Sequence, residues 1–154
     1  MSFNQIDFKC RLHQHCINIL KNRIIGIEEA MDAAQIAANS EEKSSAGDKY
    51  ETSRAMSHRE KDMQGRQLVS NQSELAALAA IDCNKINTLI NAGSLVSCNK
   101  IQFFIVAGLG KITFEDQLIY LVSPQAPIAK NLIGKQVGDE IVFNNTSIVI
   151  TEIF

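Results

Sequence analysis

Two acidic residues, Asp48 and Glu51, stand where a polar turn passes into a predicted helix. The turn is residues 44–47, Ser-Ser-Ala-Gly, and a spacing of three places both carboxylates on one side of a helix start. Carboxylate oxygens are the ligands that hard cations such as Mg²⁺ take. Acids in a first helical turn also cap free N–H groups and complement the helix dipole, so the pair has a structural interpretation too. Glu41 and Glu42, just before the turn, are reserve candidates.

Four more side chains with possible chemistry lie near the N-terminus: Cys10, His13, His15 and Cys16. Tetrahedral zinc needs ligands that converge, and no second ligand cluster follows. We therefore expect no stably bound metal, and packing of Cys16 at the start of a helical seam. Because the cysteines, including Cys83 and Cys98, show no CxxC pair and no framework spacing, we expect reduced thiols in a cytoplasmic protein.

The composition is that of a globular protein, with 45% hydrophobic and 21% charged residues among 154. The formal net charge of -2 gives no basic field that would draw the whole chain onto nucleic acid. Any action on nucleic acid would therefore run through a protein partner. No apolar run approaches the roughly 18 residues that span a bilayer, and residues 1–11 do not resemble a signal peptide. We expect no membrane association.

The first half has a helical period. Its apolar positions are spaced 3, 4, 3, 4, 3, 4, which indicates a coiled coil; they are Ile17, Leu20, Ile24, Ile27, Met31, Ala34 and Ala38. A second helix is predicted from Asp48 to about Asn91, with Met56 and Met63 packed in the seam and Leu75, Leu78 and Ile86 among its other apolar positions. Two long helices joined by a short turn must be antiparallel, and ~30 residues make an arm of ~45 Å.

The second half changes to short apolar runs between turn residues, the pattern of strands. The runs begin near residues 95, 103, 118, 140 and 147, and Asn144-Asn145 is predicted to connect the last two. One short helix fits between Pro127 and Gly134. Gly108-Leu-Gly-Lys111 is predicted to be a hairpin turn rather than a phosphate loop. We predict an α+β protein: an antiparallel helical hairpin over 1–91, with its tip near 40–50, and a small, mostly antiparallel sheet with one helix over 92–154.

The segment from Ser123 to Glu140 resembles the C-terminal domain of the Gre family of bacterial transcript-cleavage factors. In that family a strand ends in Ile-Ser, Ser-Pro opens a short helix that closes on Leu-Leu-Gly-Lys, and Gly-Asp precedes a strand. Here the same order is found in Val122-Ser123, Pro127, Leu132-Ile-Gly-Lys135 and Gly138-Asp139. Ala126 stands where the family usually has Ser.

The hairpin tip resembles the same family independently. The family carries Gly-Asp-x-x-Glu at its tip and an Arg-Glu pair further into the second helix. This chain has Gly47-Asp48-Lys-Tyr-Glu51 and then Arg59-Glu60. Lys49 and Tyr50 replace the family's usual Leu-Ser.

The resemblance implies an FKBP-like C-terminal fold and a function. It implies that the segment around Ser123, Pro127 and Gly134 docks on RNA polymerase, that the hairpin enters the secondary channel, and that Asp48 and Glu51 help to hold a Mg²⁺ ion of the polymerase. The polymerase would then cleave its own backtracked RNA. The chain would be a monomer with no cofactor of its own, would approach the RNA 3′ end only indirectly, and would not be an enzyme.

Two alternatives stay open. One is a regulator that binds the channel without stimulating cleavage. The other is a general interaction module, in which the coiled coil mediates self-association and the sheet binds another protein.

Overall fold

The computed structural model describes residues 2–44 and 48–154, with side chains described from residue 4 onward except at 41–44, 48–55 and 57. Its helices are α1 (Ser2–Ser44), α2 (Asp48–Ala79) and α3 (Pro127–Leu132). The strands are β1 (Leu95–Cys98), β2 (Ile101–Ile105), β3 (Gly110–Phe114), β4 (Gln117–Val122), β5 (Glu140–Phe143), β6 (Thr146–Val149) and β7 (Glu152–Ile153). None of the helices in the described residues combines the length and apolar composition that crossing a bilayer requires.

The chain forms two compact units. The hairpin unit is Asn18–Ala76, and the sheet unit combines Met1–Ile17 with Ala77–Phe154. Helix α1 therefore contributes its first turns to the sheet unit and its remainder to the hairpin unit. The predicted division between residues 91 and 92 differs from this one, because the first turns of α1 pack with the C-terminal half of the chain.

The heptad pattern of α1 corresponds to its buried side. All seven seam positions from Ile17 to Ala38 are buried or half-buried, while most intervening positions are exposed. Helix α2 returns alongside it, and Lys61 Nζ donates a hydrogen bond to Gln35 Oε1 at 3.2 Å between the two arms. Burial of one apolar stripe against a partner helix is what makes such long helices stable in water. The predicted α+β class with an N-terminal helical hairpin is confirmed.

The seam of α2 differs from the prediction. Met56 and Met63 are 62% and 50% exposed, so the prediction that they pack in the seam is wrong. The less exposed positions of α2 include Gln64, Leu68, Asn71, Leu75 and Leu78, which are spaced 4, 3, 4, 3; Gly65 and Glu74 beside them are also half-buried. Two of these five positions, Gln64 and Asn71, carry amides, so the spacing of apolar residues alone does not show the heptad period of α2. Gln64 Oε1 is buried and has no hydrogen-bond partner among the described residues.

Helix α2 ends at Ala79, earlier than the predicted Asn91. The Asp82 side chain accepts a hydrogen bond from the Asn84 N–H at 3.0 Å, and the Asp82 carbonyl accepts one from the Lys85 N–H at 3.2 Å. Such local bonds offer the backbone an alternative to the helix. Ile86, predicted as an apolar helix position, lies outside α2 and is exposed.

The main sheet has the strand order β3-β4-β2-β1-β7. Strands β2 and β4 are parallel and the other neighbours are antiparallel, while β5 and β6 form a separate antiparallel pair. The predicted mostly antiparallel sheet with one short helix is thus confirmed. Strand alternation divides the buried side chains: Val96 and Phe103 belong to a core shared with Leu132 of α3, and the row Leu95–Phe104–Leu121 is buried on the other face.

Strand β3 was missed, and the turn assigned to Gly108–Lys111 is wrong. Because β4 lies between β2 and β3, the segment around Gly108 connects strands that are not neighbours. The hairpin turn lies instead at Glu115-Asp116, where both residues have positive φ (49° and 63°). Turns of this kind usually contain Asn-Gly, Asp-Gly or Gly-Gly, and this turn was not predicted because Glu115-Asp116 contains no Gly. By contrast, Asn144-Asn145 has positive φ at both residues and joins β5 to β6, as predicted.

The cysteines also depart from prediction. Cys10 and Cys83 form a disulfide, with Cα atoms 5.0 Å apart and a sequence separation of 73 residues. The expectation of four reduced thiols is therefore wrong for this pair. Cys16 and Cys98 are free and buried, and Cys16 packs near the start of the seam as predicted.

The unpaired amide of Gln64 leads to a prediction about stability. Replacing Gln64 with Leu removes a buried carbonyl that lacks a partner and places an apolar side chain in the seam. We expect the free energy of unfolding to rise by about 1 kcal/mol, measured by urea denaturation. Gln67→Leu, the same change at an exposed position of α2, is the control and should have little effect. A loss of stability in Gln64→Leu alone would show that the amide is satisfied in solution.

Candidate functional site

The acidic pair lies at the start of α2. Helix α1 ends at Ser44 and α2 begins at Asp48, so residues 48 and 51 occupy the first turn of α2. The side chains of Asp48 and Glu51 lie outside the described residues, as do those of Glu41 and Glu42. Their role toward Mg²⁺ stays a prediction.

The three predicted docking residues flank helix α3. Ser123 lies in the turn before the helix, where its carbonyl accepts the Ala126 N–H at 3.0 Å and its Oγ accepts the Gln125 N–H at 3.2 Å. Pro127 is the first residue of α3, a position that suits proline because no N–H is needed there. Gly134 follows the helix with φ +88°, the left-handed conformation of a C-terminal cap.

A groove of about 720 Å³ lies between the C-terminal end of α3 and the β5–β6 pair. We call it the α3 groove. The lining residues used below are Lys130, Ile133, Gly134, Lys135, Glu140 and Val142. Gly134 is therefore part of the groove, whereas Ser123 and Pro127, at the opposite end of α3, are not among its lining residues.

The α3 groove combines apolar and charged groups. Val142 is 64% exposed and Ile133 40% exposed, which is unusual for side chains of this size beside one another. Lys130 and Lys135 lie on the α3 side, and Glu140 lies on β5. Protein-binding surfaces combine exposed apolar side chains with charged ones. The groove thus suits a partner that presents an apolar side chain next to charged groups.

The N-terminal Cys/His cluster does not converge. His13 Nε2 donates to the Leu78 carbonyl at 2.6 Å, His15 stacks on Phe114 with ring centroids 4.9 Å apart, and Cys10 is held in the disulfide. In the part of the chain that the structure describes, no group of three or more His, Cys, Asp or Glu side chains could hold a metal ion. These residues join the first turns of α1 to the rest of the sheet unit.

Lys9 is a functional candidate that sequence reasoning missed. Its side chain is buried, and Nζ donates to the Lys85 carbonyl at 2.8 Å. Burial lowers the pKa of Lys9 to about 8, against an opposing effect of the Asp82 carboxylate. One signal could have revealed it: Lys9, Leu12, Cys16 and Leu20 are spaced 3, 4 and 4, so the buried stripe of α1 extends back to a lysine.

The β3–β4 turn is held against α1. Arg11 forms two hydrogen bonds of 3.0 Å with the Glu115 carboxylate, which raises the pKa of Arg11, and Phe8 packs on Phe114 with centroids 5.7 Å apart. The ion pair is well exposed and contributes little to stability by itself. Because Arg11 bonds to both oxygens of the Glu115 carboxylate, the pair sets the orientation of the β3–β4 turn relative to the first turns of α1.

Comparison of the chain with protein-family models found no match, and comparison with curated protein sequences found none either.

The buried amine of Lys9 predicts a pH dependence of stability. Between pH 8 and pH 10.5 the unfolded chain keeps the Lys9 proton while the folded chain releases it, so this residue makes the free energy of unfolding rise with pH. The rise is about 3 kcal/mol over the interval. Lys9→Met should lack it, in denaturant titrations at several pH values.

The comparison of the two proteins isolates Lys9, because the raised pKa values of Cys16 and Cys98 make both proteins less stable toward high pH. Lys21→Met, a change at an exposed lysine of α1, is the matched control and should keep the parental profile. Identical pH profiles of the parent and Lys9→Met would contradict the assignment of a buried amine with a lowered pKa.

Proposed function

We propose that this chain is a cytoplasmic transcription elongation factor that binds RNA polymerase. In this proposal the sheet unit docks beside the secondary channel, and the hairpin unit brings Asp48 and Glu51 to the polymerase active site. The chain acts as a monomer and supplies carboxylates to a Mg²⁺ ion shared with the polymerase. The nuclease activity belongs to the polymerase.

The observation that carries the proposal is the position of the acidic pair. A three-residue connection follows α1, and α2 begins at Asp48, so the pair lies at the turn end of two long, antiparallel arms. The 32 residues of α2 correspond to ~48 Å of helix. A slender two-helix arm can enter a channel too narrow for a globular domain. Two carboxylates at its end would contribute ligands to a metal that keeps most of its own waters.

The α3 groove supports the docking part of the proposal. Pro127 and Gly134 begin and close a helix in the way the Gre family pattern requires, and the groove beside that helix exposes Val142 and Ile133 next to two lysines. The two lysines outnumber Glu140 in the groove, so its charge favours a polymerase surface that carries acidic groups. We propose that the polymerase occupies this groove.

Transcript cleavage by purified RNA polymerase tests the tip. With backtracked complexes and Mg²⁺, we expect the parent protein to accelerate release of the RNA 3′ fragment. Asp48→Ala combined with Glu51→Ala should abolish the acceleration, because the metal loses two ligands, while binding to the polymerase is kept. The control is Glu28→Ala with Asp32→Ala, which removes the same charge from exposed positions of α1.

Two results would contradict the tip assignment: cleavage by the tip double variant at the parental rate, or an equal loss of cleavage in the control double variant. The latter would mean that overall negative charge, not the position of the acids, matters.

The α3 groove yields a separate prediction. Val142→Asp replaces an exposed apolar side chain of the groove with a carboxylate, which an acidic partner surface would repel. We expect the affinity for RNA polymerase to fall by about tenfold or more, corresponding to ~1.4 kcal/mol, in a direct binding measurement. Val137→Asp is the matched control, since Val137 is 56% exposed in the sheet unit and is not among the lining residues of the groove. Equal weakening by both variants would exclude the groove as the docking surface.

A second candidate function is regulation of the channel without stimulation of cleavage. It is favoured by Lys49, which stands between the two acids in sequence, because a cation beside carboxylates competes with the metal for them. The same assay decides between the candidates. A parent protein that binds the polymerase but leaves RNA cleavage unchanged or slower selects the regulator.

A further inference from the structure

The Cys10–Cys83 disulfide joins helix α1 to the segment between α2 and β1. We call residues 80–91 the connector. Both cysteines of the disulfide are half-buried rather than enclosed. The other two are fully buried, and burial raises the pKa of Cys16 to about 12 and of Cys98 to about 11. Thiol chemistry from solution is therefore directed to the Cys10–Cys83 pair.

The connector has little structure of its own to hold it. Its internal backbone bonds are the short turn at Asp82–Lys85, and Ile86 and Leu89 are 52% and 51% exposed. Few buried apolar contacts and few hydrogen bonds are the marks of a segment that opens at low free energy.

Attachments to other parts of the sheet unit fasten the connector at separate places. On the α1 side these are the disulfide and the Lys9 Nζ bond to the Lys85 carbonyl. Toward the sheet, Asn87 Nδ2 donates to the Phe154 carbonyl at 3.3 Å. At the far end, the Ile90 N–H donates to the Lys135 carbonyl at 2.9 Å, and the Gly134 N–H donates to the Ile90 carbonyl at 2.7 Å. Cutting the disulfide removes the covalent attachment to α1 and leaves the Ile90 end in place.

We propose that the Cys10–Cys83 disulfide is a reversible redox lock that fixes the connector against helix α1. A dithiol reductant attacks one sulfur to form a mixed disulfide, and its second thiol then displaces the protein thiol. The protein disulfide gains two electrons and two protons, and the reductant becomes a disulfide. Reduction releases residues 81–87 from α1, while the sheet and the Ile90 anchor stay folded. A disulfide-containing oxidant reverses the exchange and restores the lock.

The pKa of Lys9 should change when the connector separates from helix α1. Its amine is buried against a connector carbonyl and has a pKa of about 8. When the connector leaves α1, water reaches the amine, and its pKa should return toward the ordinary value of lysine. The lock therefore has a chemical readout on α1 as well as a structural one in the connector.

The test is a titration of the full chain in buffers of reduced and oxidised dithiothreitol at varied ratios. Alkylation and mass spectrometry count free thiols, and amide hydrogen exchange follows the backbone. We expect Cys10 and Cys83 to become free together and re-form on reoxidation, with Cys16 and Cys98 protected throughout. Exchange at Asn84 and Lys85 should rise at least tenfold on reduction, and the Ile90 amide should keep its protection. The pKa of Lys9, followed by NMR of its side chain, should rise.

Variants separate the lock from a general effect of the reductant. Cys83→Ser should show the fast-exchanging connector in oxidising buffer, with no reductant present. Cys16→Ala, which changes a cysteine outside the disulfide, should still need reductant to loosen the connector. These measurements use the chain alone, so their outcome does not depend on whether the chain binds RNA polymerase.

Three results would each overturn the proposal. Reduction could leave exchange in the connector unchanged, which would mean that noncovalent contacts suffice to hold it. Reduction could unfold the sheet unit as a whole, which would make the disulfide a structural staple. The pair could also fail to re-form in oxidising buffer, which would show that the bond is not reversible.

Discussion

Burial of a single stripe along helix α1 is the interaction on which both units depend. From Leu20 to Ala38 the stripe packs in the hairpin unit with a heptad period. Toward the N-terminus the same side of α1 continues through Cys16 and Leu12 to Lys9, all buried in the sheet unit. A helix of 43 residues would not persist in water on propensity alone, so its stability comes from these contacts.

Polar groups set the specificity of those contacts. Gln64 and Asn71 occupy seam positions of α2, and amides in a seam favour one register at some cost in stability. Near the N-terminus of α1, His13 donates a hydrogen bond to the carbonyl of Leu78, at the end of the seam. Lys9 donates one to the carbonyl of Lys85, beyond the end of α2. Apolar packing alone would tolerate sliding of one helix past the other. The hydrogen bonds of Lys9 and His13 oppose such sliding, because each requires one particular acceptor.

The features predicted from sequence are those with a local cause. The seam of α1 follows from its period, helix α3 from Pro127 and Gly134, and the β5–β6 turn from Asn144-Asn145. The features that were missed depend on distant residues or on unusual residue types. The disulfide joins cysteines 73 residues apart, and the β3–β4 turn has Glu and Asp at positive φ. Lys9 can be buried because a carbonyl 76 residues away accepts a hydrogen bond from its Nζ. For the candidate site, sequence located the acidic pair and α3, but the α3 groove needs strand β5 folded beside the helix.

In the proposed function, residues near position 50 lie close to the RNA 3′ end inside the polymerase, with the shared Mg²⁺ between the acids and the RNA. The most direct measurement places a photo-activated cross-linking side chain at Tyr50, and in a second protein at the exposed Ile25 of α1, in complexes with backtracked polymerase carrying labelled RNA. We expect a cross-link between position 50 and the RNA 3′ segment, and no cross-link from position 25. Binding of the protein to the polymerase without any RNA cross-link from position 50 would contradict it.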